Sequence, residues 1–177
     1  QARYDLFDVA TTARTDGGGY VLSGQKDVVF FGSDADVLVV AARTSGAQRD
    51  HDGITLFVVP ADAEGITQTR HNTHDGSRAS NILFDEVKLG ADAVLGEVGQ
   101  GLSVLERVID HAVAFVCADA VGSMWEVYEV TLEYLKTRSQ FGQTLGSFQA
   151  LQHRMVDVYM ECELAQTSVY DVTLNLD

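Results

Sequence analysis

The chain has 177 residues, 46% of them hydrophobic, with 12 basic residues against 26 acidic ones and a formal net charge of −14. That is enough to fold as one domain or two small ones, and an acidic balance without any Lys/Arg cluster speaks against nucleic acid as a partner. No apolar run approaches the roughly 20 residues that span a bilayer, and the first residues carry neither a basic region nor an apolar signal segment, so a cytoplasmic protein without a membrane span is expected.

From Thr11 to about Lys88, short apolar runs alternate with turn residues. Tyr20-Val-Leu follows the glycine turn Gly17 to Gly19, Val28-Val-Phe-Phe31 precedes Gly32-Ser-Asp, Val37 to Ala42 precedes a polar loop, and Ile54 to Val59 ends at Pro60. Further strands are expected near Thr67 to His71 and Ala79 to Val87. Strands without intervening helical patterns indicate an antiparallel β-barrel or sandwich rather than a parallel α/β sheet. Gly17 to Gly19 is read as a hairpin turn and not a phosphate cradle, because no Lys-Ser/Thr follows. His71, His74 and Asp75 lack a third strong ligand nearby, so no metal site is expected. His51 and His153 read as surface residues.

After Leu95-Gly-Glu-Val-Gly-Gln-Gly101 the period becomes helical. The first helix is expected to bury Leu105, Ile109, Ala112, Val116, Ala120, Met124, Val127, Val130 and Tyr134. The second carries Phe148, Leu151, Met155, Val158, Cys162, Ala165, Val169, Val172 and Leu176 at alternating spacings of three and four, the narrow stripe of a helix lying antiparallel along a partner. Ser147 is the expected amino cap of the second helix. Cys117 and Cys162 read as buried, reduced thiols. Two such helices cover each other on one side only, which leaves Val104, Phe115 and Trp125 without cover. The second stripe is still running at Asp177, so a longer chain or an obligate association is expected. The fold class is therefore α+β: a β domain over 1–98, then two long antiparallel helices over 99–177.

Between the helices, Arg138-Ser-Gln-Phe-Gly142 and Gln149 bring a guanidinium fork, an aromatic ring and an amide to one loop. Two readings are open. Arg138 can bind a diphosphate through paired hydrogen bonds while Phe141 lies against a ring and Gln149 meets a heterocycle. Alternatively, Lys136 and Arg138 complement the negative end of the first helix, the glycines turn the chain and Phe141 is core. Asp110 beside His111 interrupts an apolar helical stretch, as either a solvated face or a polar pocket.

The order of several motifs resembles the acyl-CoA dehydrogenase family: Ser23-Gly-Gln-Lys26, Phe84-Asp-Glu-Val87, Leu95-Gly-Glu-Val-Gly-Gln-Gly101, Arg138-Ser-Gln-Phe-Gly142 and Phe148-Gln-Ala-Leu-Gln152. Within it, the Asp75-Gly76 turn, Tyr134 to Arg138 and Ser147 to His153 look most like the small-subunit type associated with dicarboxylyl (pimeloyl) CoA. The resemblance implies FAD, an acyl-CoA substrate, an electron-transfer flavoprotein as oxidant, and a dimer or tetramer, homo- or hetero-oligomeric. It also implies a central β domain followed by part of a four-helix domain. By motif position, Val28, Val29 and Phe30 line the flavin, whereas Arg138, Ser139, Gln140, Phe141, Phe148 and Gln149 hold the FAD of a neighbouring subunit. Asp110 falls on a substrate-pocket position. The family's usual Trp and Thr on the flavin strand are Val28 and Phe30 here, and the Arg that commonly follows the Asp110 position is Val113. The family's catalytic Glu falls beyond Asp177, or at Ala112 in the branch that carries it on the first helix, so no general base is expected within this chain. Three functions remain open: part of an active dehydrogenase, a non-catalytic subunit that serves a partner's FAD, and an interaction module without flavin.

Overall fold

The computed structural model describes residues 4–176; Gln1 to Arg3 and Asp177, where the helical stripe was expected to be still running, lie outside the described residues. The chain divides into two compact units, residues 1–106 and 107–177.

The first unit is built on one seven-stranded sheet. Strands β1 (Thr12–Asp16) and β2 (Gly19–Phe30) form a hairpin closed by Gly17 and Gly18 at φ 55° and 92°. Two successive left-handed residues match the right-handed strand twist, and glycine adopts them without a Cβ penalty. The remaining strands are β3 (Val37–Arg43), β4 (Ile54–Pro60), β5 (Ile66–Asn72), β6 (Arg78–Leu89) and β7 (Val94–Leu95). Their spatial order is β5-β6-β2-β1-β3-β4-β7, antiparallel at every pairing except the single parallel step Thr12↔Arg43. The runs at Tyr20 and Val28, separate in the sequence pattern, are two ends of the twelve-residue strand β2.

Side chains from five of these strands meet in one core, with Ala13, Leu22, Val40, Phe57, Phe84 and Val87 among its members. A single sheet encloses such a core only by curling upon itself. Each fully buried Leu, Val or Phe there contributes roughly 1.5–3 kcal/mol of transfer free energy. A satellite cluster joins Val9, Ile54 and Leu102, with Leu6, Phe7 and Ala41 packed against it.

Arg43, at the end of β3 and 6% exposed, fixes the polar loop that follows. Its Nη1 donates to the carbonyls of Asp50 and Asp52 at 2.8 and 2.7 Å, and its Nη2 to those of Phe7 and Gln48 at 2.7 and 2.8 Å. One guanidinium thus supplies donors to two irregular segments that have no ladder of their own. Above it, Arg49 pairs with Asp5 and Asp8, and His51 stacks on Phe7 at 4.2 Å.

The second unit contains most of helix α1 (Gly101–Thr137), a small hairpin of β8 (Ser139–Gln140) and β9 (Gln143–Thr144), and helix α2 (Gln149–Leu174). Trp125 meets both Tyr159 (centroids 5.7 Å) and Gln166 (Nε1 to Oε1, 2.9 Å), whereas Tyr128, further along α1, meets Tyr159, which makes the helices antiparallel. The stripe expected on α2 is largely the covered one: Cys162 is buried, and Leu151, Met155, Ala165 and Val169 are half-buried.

Of the stripe expected on α1, Leu105 and Met124 are half-buried and the rest is exposed. Val116, Val127, Val130 and Tyr134 are 56–68% exposed, and the covered face is Ala114, Val121, Trp125, Tyr128, Leu132 and Leu135. Because α1 is apolar on more than one side, periodicity offered several stripes and could not select the one that faces α2. Cys117 lies off that face and is exposed, contrary to expectation, while Cys162 is buried as expected; both are free thiols. Trp125, expected to lack cover, is half-buried.

Replacing Arg43 with Met would strip donors from four backbone carbonyls and is expected to cost about 3 kcal/mol or more, since hydrogen bonds to a charged group contribute roughly 1.5–3 kcal/mol each but not additively. Urea unfolding of wild type, Arg43→Met and Arg43→Lys measures it; the lysine variant, which keeps the charge but loses the planar fork, should fall between.

Candidate ligand-binding site

The loop between the helices is shaped by backbone bonds before any side chain acts. The Arg138 amide donates to the Tyr134 carbonyl at 2.9 Å as α1 ends, and the Leu145 amide donates to the Arg138 carbonyl at 2.8 Å, extending the β8/β9 ladder. Phe141 and Gly142 form the two-residue turn at φ 56° and 81°. Glycine suits such a turn, whereas phenylalanine there is strained. Its ring is 89% exposed and meets Phe148 edge-on at 6.3 Å. The reading of Phe141 as core is thereby overturned. Arg138, Ser139, Gln140 and Gln149 are exposed as well, and Phe148 is half-buried.

Ser147 does not cap α2. Its hydroxyl donates to the Thr144 carbonyl at 2.6 Å, within a single helical turn over Leu145–Ser147, and the N-cap position falls to Phe148, which offers no acceptor. The first amides of α2, at Gln149 and Ala150, therefore open without a capping side chain. Together with the Arg138 fork, the Ser139 hydroxyl and the two glutamine amides, this forms a donor set suited to phosphate oxygens and a heterocycle, flanked by an exposed aromatic edge. The donor set fits a dinucleotide. A separate apolar cleft of about 480 Å³ between α1 and α2, lined by residues including Tyr128, Leu132, Leu135, Met155 and Tyr159, contains none of these groups.

In the first unit, the end of β2 is irregular. Lys26 pairs with Ile82 and Val29 with Ser80, so Asp27 and Val28 together oppose Asn81 alone. Val28 lies at φ 53°, and its amide donates to the Asn81 side-chain oxygen at 3.0 Å. Val28 and Phe30 are 48% and 61% exposed, whereas Val29 packs against the core. Of the three flavin-strand candidates, Val29 can therefore present only its backbone to a ligand. Sequence reasoning missed Asn81; its one signal was an amide within Ser80-Asn-Ile-Leu-Phe84, an otherwise strand-like run.

Asp110 is exposed on α1, as is His111, whose Nδ1 lies 2.8 Å from the Arg107 carbonyl. Among the described residues no group of three His, Cys, Asp or Glu side chains is placed to hold a metal ion.

Two family models match the chain: "Acyl-CoA dehydrogenase, middle domain" over residues 1–87 and "Acyl-CoA dehydrogenase, C-terminal domain" over residues 99–177. A similar relative is the mitochondrial isovaleryl-CoA dehydrogenase of Pongo abelii, 32% identical over 98% of this chain and 42% of its own. Among solved structures, an acyl-CoA dehydrogenase from Geobacillus kaustophilus matches with a TM-score of 0.87 at 32% identity, covering 96% of this chain and 46% of that one. An FAD-dependent dehydrogenase matches with a TM-score of 0.84 at 34% identity, covering 93% and 45%. With both of its units matched in order, the chain belongs to the acyl-CoA dehydrogenase family. It spans less than half the length of each of these relatives.

Lys26, on the inner face with Leu22 and Gly24, is half-buried, and burial lowers its ammonium from 10.5 to about 8. The unfolded chain then holds more protons than the folded one between these values, so stability rises with pH across that window. Lys26→Met, which removes the buried charge, is expected to be more stable than wild type at pH 7, with the gap closing from pH 8 to 10.5. Urea midpoints of both proteins across that range measure it, and a pH-independent gap would contradict the assignment.

Proposed function

We propose that this chain is part of a flavin-dependent acyl-CoA dehydrogenase, in which the loop from Arg138 to Gln149 holds the FAD of a neighbouring subunit. FAD is the cofactor that the family membership carries, and the donor set of this loop fits it. The observation that carries the reading is Phe141, held out by a strained turn with its ring 89% exposed beside an exposed Arg138 and the uncapped start of α2. Strain of this kind persists where function uses it.

In this reading Arg138 binds the diphosphate bidentately, Ser139 and Gln140 add donors from the β8 edge, and Phe141 and Phe148 lie against the planar part of the cofactor. Gln149 satisfies donors and acceptors of a heterocycle. Val28 and Phe30 form an apolar wall along the flavin and exclude water from it, with the Val29 backbone between them. Asp110 contacts the acyl-CoA. The bound flavin supplies a hydride acceptor for the β-carbon of the thioester, while a base removes the α-proton to give the 2,3-enoyl-CoA. We assign that base to no residue here. The two domains are placed at 1–98 and 99–177, assembly is as a dimer or tetramer, and reoxidation falls to an electron-transfer flavoprotein. A dicarboxylyl thioester of the pimeloyl type is the substrate class that the motif resemblance favours.

A second reading is favoured by one observation: the exposed side chains at the flavin strand, Val28 and Phe30, carry no hydroxyl and no indole. A subunit of that kind would serve a partner's FAD through Arg138 and Gln149 without catalysing the oxidation itself.

The visible flavin spectrum of the full-length protein, alone and with its partner subunit, separates the two. Bleaching of the protein alone on addition of acyl-CoA supports the first; flavin retained only with a partner supports the second. Arg138→Ala is expected to weaken FAD retention in the assembled protein by about 1.5–3 kcal/mol, the value of a charged hydrogen bond. Unchanged FAD affinity would remove the loop from the cofactor site.

A further inference from the structure

The side-chain amide of Asn81 occupies a place in the sheet that a main-chain carbonyl would otherwise hold. Between the pairs Lys26↔Ile82 and Val29↔Ser80, β2 carries one residue more than β6, and the amide left over, that of Val28, donates to the Asn81 Oδ1 at 3.0 Å. The extra residue reverses the alternation of β2. In a regular strand Lys26, Val28 and Phe30 would share a face. Here Val28 and Phe30 face outward, while Lys26, level with core residue Ile82, and Val29 face inward.

The reversal is costly to the backbone. Val28, β-branched, sits at φ 53°, a region that such residues avoid. Lys26, which keeps the inward alternation of Leu22 and Gly24, is half-buried there, and nearby the buried hydroxyl of Ser80 and the amide oxygen of Gln68 have no hydrogen-bond partner. Gln68 is level with Ile82 and Ser80 with Val29, so all three polar groups lie on the inner face of β5, β6 and β2. Gly32 leaves the space that this arrangement needs: a Cβ there would come within 2.6 Å of the Ser80 hydroxyl. An irregularity that strains a backbone persists when it re-aims a side chain that function uses.

We infer that Asn81 is a positioning residue for the cofactor: by accepting the Val28 amide it locks the bulge that presents Val28 and Phe30, instead of Val29, to the flavin. The inference rests on the reading that this end of β2 faces FAD. Asn81 touches no ligand itself. Its loss lets β2 relax toward regular pairing, which withdraws the apolar wall and admits water beside the flavin.

The test uses the full-length, FAD-loaded protein with its partner subunit. Hydrogen exchange at the Val28 amide reads the bulge without reference to activity; the visible band and midpoint potential of the flavin read its surroundings. Asn81→Ala should speed exchange at Val28 about tenfold, as expected for loss of one protecting hydrogen bond. It should also shift both the flavin band and the potential while FAD remains bound. Asn81→Asp, which keeps an acceptor at the same place, should restore both. Should Asn81→Ala not fold, the double variant Asn81→Ala with Val28→Gly keeps the test open, because glycine holds the left-handed position without strain. That protein should exchange faster at residue 28, and show a larger flavin shift, than Val28→Gly alone. Exchange at Val28 unchanged by removal of the amide would overturn the inference. So would faster exchange with a wild-type flavin band and potential; if Arg138→Ala still releases FAD in that case, the cofactor assignment survives and only the role of Asn81 fails. A wild-type protein that holds no flavin overturns both.

Discussion

The pairing of β2 with β6 is the constraint on which the first unit depends. Two irregularities interrupt it, and they compensate. At the first, Asp85 and Glu86 oppose Ser23 alone; at the second, Asp27 and Val28 oppose Asn81 alone. The pairs Tyr20↔Leu89 and Phe30↔Ala79 therefore belong to one register, and only the stretch from Gly24 to Lys26 is displaced by a residue. Each bulge reverses the alternation of the strand that carries it. This is how Val87 and Phe84, three apart, both reach the core, while Lys26 and Val29 on the facing strand both face inward. Both bulges are held by side chains. Glu86, at φ 52°, accepts from the Ser23 hydroxyl and from Arg14, and Val28 donates to Asn81. Gly24 is required between them, since a Cβ there would meet the Thr11 Cα at 2.8 Å.

The same device recurs in the second unit at a smaller scale. Among the described residues, four non-glycine positions have positive φ, Val28, Phe31, Glu86 and Phe141, and three of them bring apolar side chains 48–89% into solvent. Hydrophobic collapse would bury such groups, and conformational preference would place glycine or asparagine at their backbone positions. Both tendencies are overruled by ordinary main-chain pairing on either side: β8 with β9 around Phe141, and β2 with β6 around Val28. The two-sided support keeps an aromatic or branched side chain in place without a core behind it. On the proposed reading the cofactor supplies that missing cover.

Much of this was legible in the amino-acid sequence, unevenly. The strands announced themselves because β-branched and aromatic runs end at glycine turns such as Gly17-Gly18 and at Pro60. The α2 stripe was legible because Cys162 and Met155 fall on one line of alternating three- and four-residue spacings, so both could be assigned inward from spacing alone. Three things were hidden, each for a physical reason. That Tyr20 and Phe30 end one strand could not be read, since a bulge breaks the period-two pattern that would have joined them. Ser147 has the chemistry of a cap, yet its hydroxyl is consumed by the preceding turn. Whether Phe141 was core or ligand edge depended on a backbone conformation that phenylalanine does not advertise. The residues of the loop were named from the sequence; their exposure was not.

The misassigned face of α1 follows from composition in another way. Along α1, Val108, Val113, Phe115, Val116, Val127 and Val130 are 53–76% exposed, in addition to the face that α2 covers. Each apolar side left in water forgoes transfer free energy of about 25 cal/mol per Å². The stripe expected on α1 marks a face that α2 does not cover. On the proposed reading, association covers it, and the same association carries the Arg138 loop to the cofactor of the next subunit. Apolar exposure on α1 and polar exposure on the loop are then two consequences of one assembly, since the helix supplies the adhesion and the loop the recognition.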